Sequence, residues 1–119
     1  MKDEHIQQAK NILQVLEDKL EKTNIQNKIN ALYLMRASRI YNYRILDYML
    51  SYSELNFDLL TYEDVLYLVI TVNQARMISP YELMYKLRNR FYSCYTELKP
   101  YVVLKTLGLF CKMRLMYME

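Results

Sequence analysis

The fold class of this chain is decided by residues 60–87, LTYEDVLYLVITVNQARMISPYELMYKL. The centre of this stretch, VLYLVITV, is rich in residues that favour strands, whereas both ends resemble helix starts. A strand over residues 66–72 would lack alternation and would require a parallel sheet, for which no other run of the chain supplies partners. Because intrinsic propensities differ by only tenths of a kcal/mol per residue, the pattern predicts helices here.

Two helices are predicted within this stretch, and each has its own start signal. The first begins after Thr61, which has Asp64 three residues later in an approximate capping box. The second begins with Ser79 as the N-cap, Pro80 as the first helical residue and Glu82 as the third. The faces predicted to be buried are Val65, Leu66, Val69, Val72 and Asn73 in the first helix and Leu83, Met84, Leu87 and Phe91 in the second.

Four further helices are predicted from apolar stripes of helical spacing, over the N-terminal segment and over about 25–39, 42–52 and 100–117. The predicted fold class is therefore all-α, with about six antiparallel helices joined by short turns. A short α-solenoid of helical hairpins is one arrangement that these helices allow. The residues predicted to face inwards are Ile6, Ala9, Leu13, Leu16 and Leu20, then Ile29, Leu32, Met35 and Arg36, then Ile45, Leu46, Met49 and Leu50, and finally Val103, Leu104, Leu107, Phe110 and Cys111.

The composition limits the remaining choices. One glycine and two prolines in 119 residues argue against a sandwich or a barrel, since such folds need turn residues about every 8–12 positions. One helical domain is expected over residues 1–119, with an N-terminal amphipathic helix over 1–22 and about two and a half hairpin repeats over 23–119. No apolar run reaches the ~18 residues of a membrane span, so membrane insertion is not expected. Two cysteines without CxxC spacing are expected to be reduced and buried.

Positive charge is concentrated in the last part of the chain. Residues 71–119 hold eight basic and three acidic side chains, whereas the formal net charge of the whole chain is +3. A basic end of this kind can meet an anionic partner such as RNA or an acidic protein. A solvated face without a partner explains the same charge equally well.

The chain partly matches itself when it is shifted by 38 residues, which predicts units over 23–60, 61–98 and an unfinished 99–119. A period of this length is typical of solenoids, in which each hairpin buries its apolar face on its neighbours. Chance similarity between helices of equal length is the alternative. The aligned pairs include Val65 with Val103, Leu66 with Leu104 and Arg76 with Arg114.

Residues 60–117 combine a capped first helix, a small residue near its end at Ala75, matched by Ala37, and a second helix that opens after Ser79-Pro80. In these features the chain resembles the degenerate helical-hairpin repeats of the octatricopeptide and heptatricopeptide repeat proteins of organelles, over about residues 23–119. The resemblance implies an α-solenoid that binds single-stranded or ribosomal RNA. It also implies that neighbouring proteins of a larger assembly are further partners and that the location is mitochondrial. Without it a cytoplasmic location is expected, and secretion is not expected in either case.

The candidate RNA contacts are basic and tyrosine side chains, because cations meet phosphates and bases stack on aromatic rings. Arg76 and Arg114 lie near the centre of the apolar face of their helices, so the alternative for both is a stem packed on the core with the guanidinium near helix-end carbonyls. For the other residues the alternative is a tyrosine-rich surface with solvating cations. The predicted set is Arg76, Arg88, Arg90, Lys99, Lys105, Lys112, Arg114, Tyr85, Tyr92 and Tyr101.

No catalytic residue, cofactor, metal site or small-molecule substrate is predicted. His5 is the only histidine, the cysteines form no cluster with it, and one glycine cannot build a phosphate loop. The sequence therefore predicts a non-catalytic, RNA-associated structural protein, such as a small component of a mitochondrial ribosome or of an RNA-processing assembly. The alternative is a protein–protein interaction adaptor, an accessory subunit or a viral host-interaction protein, without nucleic-acid contact.

Overall fold

The structure, a computed structural model, describes residues 3–114, which form six α-helices. No strand forms within this part of the chain, so the helical interpretation of residues 60–87 and the all-α fold class are confirmed. Short 3-10 turns follow the first, third and fifth helices, at Leu20–Lys22, Phe57–Leu59 and Tyr95–Glu97. The helices are α1 (Asp3–Asp18), α2 (Ile25–Ser38), α3 (Tyr43–Leu55), α4 (Tyr62–Gln74), α5 (Tyr81–Cys94) and α6 (Pro100–Met113).

Side-chain caps start three of these helices. Asn24 before α2 and Asn42 before α3 each accept a hydrogen bond from the backbone N–H three residues later, at 2.9 and 3.0 Å. The Thr61 hydroxyl accepts the N–H of Asp64 at 3.2 Å, so the predicted cap of α4 is confirmed. Each cap satisfies a backbone donor that has no partner within its own helix, and it thereby determines where that helix begins.

The start of α5 differs from the prediction by one residue. Pro80 has φ −58° and ψ 138°, so it is extended and serves as the N-cap, and Ser79 does not. The proline ring restrains φ but leaves ψ open, so the same residue suits the cap as well as the first helical position. The predicted inner face of α5 is confirmed, because Leu83, Met84, Leu87 and Phe91 are all buried.

The rotation of α6 about its axis was predicted wrongly. Val102, Thr106, Leu109 and Phe110 are buried, whereas Leu104 is 69% exposed. Thr106 donates a hydrogen bond to the Val102 carbonyl at 2.9 Å, and its hydroxyl lies 2.8 Å from that of Tyr62 on α4. Because these bonds satisfy the hydroxyl, the buried stripe includes a polar residue that an apolar pattern does not count.

The far ends of the predicted segments also differ. Helix α6 ends at Met113 because the next residue, Arg114, has a left-handed backbone conformation. Tyr117, the predicted end of this helix, lies outside the described residues.

In α1 to α4 the centres of the predicted inner faces are buried, as shown by Leu13, Leu32, Met35, Ile45, Leu46, Val65, Leu66 and Val69.

The helices are arranged in two layers. Contacts join α1 to α3 and α3 to α5, which form the odd layer, and they join α2 to α4 and α4 to α6, which form the even layer. Helix α4 also contacts α3 and α5, so it lies at the centre of the molecule. Short connections reverse the chain between consecutive helices, so the helices of one layer run in the same direction. The C-terminal ends of α2, α4 and α6 therefore lie along one edge.

Corresponding elements recur at a nearly constant spacing. The 3-10 turns begin at residues 20, 57 and 95, which are 37 and 38 residues apart, and α2, α4 and α6 begin at 25, 62 and 100, with the same two spacings. The recurrence includes α1 and α2, so it extends over three helix pairs of the described chain. One unit is a residue shorter than the next, so a single fixed shift cannot align all three.

Candidate nucleic-acid interface

The ten predicted contact residues are divided between the two layers. One group lies on α5 in the odd layer, and the other lies on or beside α4 and α6 in the even layer. The α5 group is Tyr85, Arg88, Arg90 and Tyr92. The even-layer group is Arg76, Lys99, Tyr101, Lys105, Lys112 and Arg114.

The two arginines of α5 are engaged within the protein. Nη1 of Arg90 donates hydrogen bonds to the carbonyls of Leu60 at 2.7 Å and Phe57 at 3.4 Å. Arg90 therefore holds the 3-10 turn after α3 against α5. The guanidinium carbon of Arg88 lies 5.4 Å from the ring centre of Tyr92, and its buried Nε has no hydrogen-bond partner. Arg90 directs its donors to backbone carbonyls and Arg88 buries its Nε, so neither presents its whole guanidinium to a partner.

Tyr67 of α4 lies between two cations from the neighbouring helices. The guanidinium carbon of Arg36 on α2 is 4.6 Å from its ring centre, and Nζ of Lys105 on α6 is 5.1 Å from it. The same Lys105 lies 5.8 Å from the ring centre of Tyr101, and the ring of Tyr33 is 6.4 Å from that of Tyr67. Cation–π attraction holds such charges over aromatic faces, so cations and rings alternate across the layer. We call these five residues and Lys112 the even-layer surface.

An open groove of about 290 Å³ crosses this surface between α2, α4 and α6. Its walls combine cations and amide groups with a largely apolar floor that includes Ile70 and Leu109, and no carboxylate lines it. The carboxylates of the even-layer helices, Glu63 and Asp64, lie in the first turn of α4, away from the end that reaches the groove. A phosphate placed here would meet positive charge and amide donors without a competing carboxylate. The lining residues are Arg36, Ile70, Asn73, Gln74, Lys105, Gly108, Leu109 and Lys112.

Among the even-layer candidates, Lys99, Tyr101, Arg76 and Arg114 do not line this groove, and Lys99 lies farthest along α6 from Lys112. Lys99 is the N-cap of α6, whereas Lys112 lies in the last turn of the same helix. At a rise of 1.5 Å per residue the two positions are about 20 Å apart along the helix axis. The structure thus brings Lys105 and Lys112 to one groove and places Lys99 at the opposite edge of the layer.

Arg76 and Arg114 do not pack on the apolar faces of their helices, so that interpretation is wrong. Each follows the last helical turn with a positive φ, 60° and 59°, and each is exposed. A helical wheel assumes helical dihedrals up to the end, whereas a left-handed residue directs its side chain elsewhere. Arg39 after α2 has a φ of 57° and is exposed as well, and residues 3–114 contain no other positive φ.

The sequence reasoning missed three residues of this region, namely Arg36, Arg39 and Tyr67. Arg36 was assigned to the inner face of α2, but it is half-buried with its guanidinium over Tyr67. No local pattern in the strand-like run marks the Tyr67 ring as a contact, because the cations that face it come from α2 and α6. A shift of 37 residues instead of 38 aligns Arg39 with Arg76, so the signal for Arg39 is present in the sequence.

Other ionisable groups belong to the interior. Lys28 is buried, and its Nζ lies 4.1 Å from the ring centre of Tyr52, so two stacked tyrosines on α3 shield this charge. Burial raises the pKa of the Tyr62 phenol well above its ordinary range, and the hydrogen bond with Thr106 only partly opposes this shift. These groups stabilise the packing between helices and face no groove of the even layer.

The cysteines differ from the prediction that both are buried. Cys94 is half-buried, and burial raises the pKa of its thiol, whereas Cys111 is exposed because of the rotation of α6. Over residues 3–114 no three side chains of the histidine, cysteine, aspartate and glutamate types are grouped so that they could hold a metal ion. In the same range no helix has the length and apolar character needed to cross a membrane.

The chain matches no protein-family model, no curated protein sequence and no solved structure.

Proposed function

We propose that this chain is a non-catalytic, RNA-associated structural protein that binds RNA across the even-layer surface. The observation that carries the proposal is the Tyr67 ring with Arg36 and Lys105 over it, beside a groove without carboxylates. Surfaces that bind single-stranded nucleic acid combine cations for the backbone with aromatic rings on which bases stack. Since cations already lie over Tyr67, the exposed rings of Tyr33 and Tyr101 are the ones available for stacking. An alternation of cations and rings across three helices supports a strand lying across α2, α4 and α6.

The distribution of charge between the layers supports this assignment. The helices of the odd layer carry seven carboxylates and five cations. The helices of the even layer, together with the arginine that follows each of them, carry seven cations and two carboxylates. A polyanion is therefore attracted to the even layer, where the positive potential is not cancelled by neighbouring acids.

The two layers and the recurring helix pairs also support the short α-solenoid implied by the resemblance to organellar repeat proteins. Such stacks use an extended surface formed by corresponding helices of successive repeats, and the even layer supplies one. We therefore propose a place for the chain as a small component of a mitochondrial ribosome or RNA-processing assembly, in contact with RNA and with neighbouring proteins.

Fluorescence anisotropy with a labelled single-stranded RNA tests the proposal, measured from about 50 to 200 mM salt. The chain should bind, and its affinity should fall steeply with salt because bound phosphates release counterions. The variant Arg36→Gln/Lys105→Gln/Lys112→Gln should bind at least about tenfold more weakly at the lowest salt, with a slope of log Kobs against log[salt] that is about 2 shallower.

The matched control is Lys10→Gln/Lys19→Gln/Arg44→Gln, which removes the same charge from exposed positions on or beside α1 and α3. The RNA affinity of this variant should stay within about twofold of that of the unchanged chain, because the cations of the even-layer surface remain. Equal losses in the two variants, or no salt-dependent binding by the unchanged chain, would contradict the proposal.

A protein–protein interaction adaptor is the second candidate, and helix α1 favours it. Ile12 and Val15 are 52% and 54% exposed, and with Asn11 and Leu16 they line an apolar groove. Clustered apolar exposure of this kind marks interaction sites. If the adaptor function is correct, Ile12→Asp/Val15→Asp should abolish copurification with partner proteins, RNA affinity should be absent, and the even-layer substitutions should have no effect.

A further inference from the structure

A left-handed arginine follows each of the three even-layer helices, as the C-cap of α2 and α6 and one residue after the C-cap Ala75 in α4. Arg39, Arg76 and Arg114 follow α2, α4 and α6 with φ values of 57°, 60° and 59°. Their positions are 37 and 38 residues apart, the same spacings that separate the corresponding helices. The same residue type therefore occupies the same unusual backbone position in each of the three helix pairs.

Arginine is a costly choice for this position. The left-handed conformation brings Cβ close to the carbonyl oxygen, so glycine is the usual residue at a helix C-terminus of this kind and asparagine is the next. Attraction between a cation and the helix dipole does not explain the arginines after α2 and α6, because a cation within the last turn of each helix already supplies it; α4 has no such cation. In α2 and α6 Arg36 and Lys112 already occupy the last turn.

The three guanidinium groups are available to a ligand. Each side chain is exposed, and none of them forms a hydrogen bond or an ion pair with another residue of the range 3–114. The backbone N–H of each arginine already bonds to a carbonyl of its own helix, that of Met35 at 2.8 Å for Arg39, Asn73 at 3.1 Å for Arg76 and Cys111 at 3.3 Å for Arg114. These side chains therefore do not stabilise their own helix ends through hydrogen bonds.

The arginines lie along one edge of the even layer. Arg39 and Gln74 line one small cavity, and Gln74 and Lys112 line the groove of the even-layer surface. The C-terminal ends of α2, α4 and α6 are therefore neighbours, and packed helices lie about 8–10 Å apart. A linear polyanion that crosses the groove can reach each arginine in turn.

We infer that Arg39, Arg76 and Arg114 form a row of phosphate contacts, one for each helix pair, that holds the backbone of a single-stranded RNA along this edge. This inference rests on the proposed function and adds the way in which the strand is bound. A planar guanidinium matches phosphate oxygens in a bidentate manner. Because phosphate contacts carry no base information, the row binds RNA without sequence preference.

Replacement of all three arginines by glycine separates backbone effects from ligand contacts. Arg39→Gly/Arg76→Gly/Arg114→Gly suits the left-handed positions better than arginine does, so its Tm should be unchanged or higher. Its affinity for labelled single-stranded RNA should fall by at least about tenfold at 50 mM salt, and the salt slope should become about 2 shallower. The Lys10→Gln/Lys19→Gln/Arg44→Gln variant, with the same loss of charge, should bind within about twofold of the unchanged chain.

Two further variants make the result decisive. Asparagine at the three positions also tolerates the left-handed backbone and should weaken binding as glycine does. Lysine at the three positions retains the charge, so this variant should have the same slope of affinity against salt as the unchanged chain. Unchanged RNA affinity in the glycine and asparagine variants would overturn the arginine row while the proposed function stands. Failure of the unchanged chain to bind RNA would overturn the proposed function itself.

Discussion

Cations of the odd layer and of the even layer are used in opposite ways. In the odd layer Arg90 donates to the carbonyls of Leu60 and Phe57, and Nζ of Lys86 donates to the carbonyl of Glu54 at 3.3 Å. These cations face the ends of helices and turns within their own protein. In the even layer the cations lie over tyrosine rings, beyond the helix ends or, for Lys112, exposed in the last turn of α6, and within residues 3–114 none of their side chains donates to a backbone carbonyl.

The difference follows from how the helices of each layer end. Helix α3 of the odd layer runs into a 3-10 turn, whose carbonyls are satisfied by side chains from the next odd-layer helix. Helices of the even layer end in a left-handed residue, and the backbone closes itself, as when the N–H of Met77 reaches the Val72 carbonyl at 3.0 Å. At the end of α3 the nearby cations are therefore engaged inside the protein, whereas the even-layer helix ends leave their arginines exposed.

The largest expected effect concerns the contact between the layers. Phe91 of α5 is buried, with its ring centre 5.6 Å from that of Phe110 and 6.1 Å from that of Tyr62, both in the even layer. Phe91→Ala should lower the free energy of unfolding by about 3–5 kcal/mol, because the lost contacts leave a cavity between the layers. Urea denaturation followed by circular dichroism measures this change.

The neighbouring Tyr92, which is 44% exposed, provides the control on the same helix. Tyr92→Ala should lower the free energy of unfolding by less than about 1 kcal/mol. Similar losses for the two variants would mean that Phe91 does not join the layers as described.

The second prediction compares one cation from each layer. Arg90→Met keeps much of the aliphatic volume but removes the donors to Leu60 and Phe57, so it should lower the free energy of unfolding by about 1–2 kcal/mol. Lys112→Met removes an exposed cation without a described hydrogen bond, so its stability should stay within about 0.5 kcal/mol of the unchanged chain. Chemical denaturation of both variants makes the comparison, and a larger loss for Lys112→Met would reverse the roles assigned to the layers.

The smallest effect concerns the buried hydroxyl pair within the even layer. Tyr62→Phe removes the hydrogen bond with Thr106 and should lower the free energy of unfolding by about 1 kcal/mol at pH 7. Burial raises the pKa of Tyr62 in the folded state, so the unfolded chain ionises first and the stability of the unchanged protein falls above pH 10.

Ionisation of Tyr62 should remove the stability difference between Tyr62→Phe and the unchanged chain at high pH. Above pH 10 the unchanged chain should lose about 1.4 kcal/mol per pH unit through Tyr62, a loss that Tyr62→Phe does not share. Near pH 11 the two proteins should therefore be about equally stable. The exposed Tyr101→Phe is the control, and a constant gap between Tyr62→Phe and the unchanged chain from pH 7 to 11 would contradict the raised pKa.

Much of the fold could be predicted because apolar residues recur at helical spacing in each of the first five helices, even in α4, whose composition also favours a strand. The stripe of α5, for example, needs only Leu83, Met84, Leu87 and Phe91 in helical spacing. The rotation of α6 could not be predicted, because Thr106 is buried only through its bond with Tyr62, which is 44 residues away in the chain. The candidate site was found in part, since Lys105 and Lys112 share the outer face of one helix, whereas Arg36 and Tyr67 come from two other helices.

The sequence by itself determined that the chain is all-α, where most helices begin, and which face of most helices is buried. These properties depend on residues within a few positions of one another, through caps, periodicity and breakers. Only the tertiary structure decided which cations are engaged and which face outwards. That choice depends on which carbonyl or ring another helix brings within a few ångströms, and packing alone sets such distances.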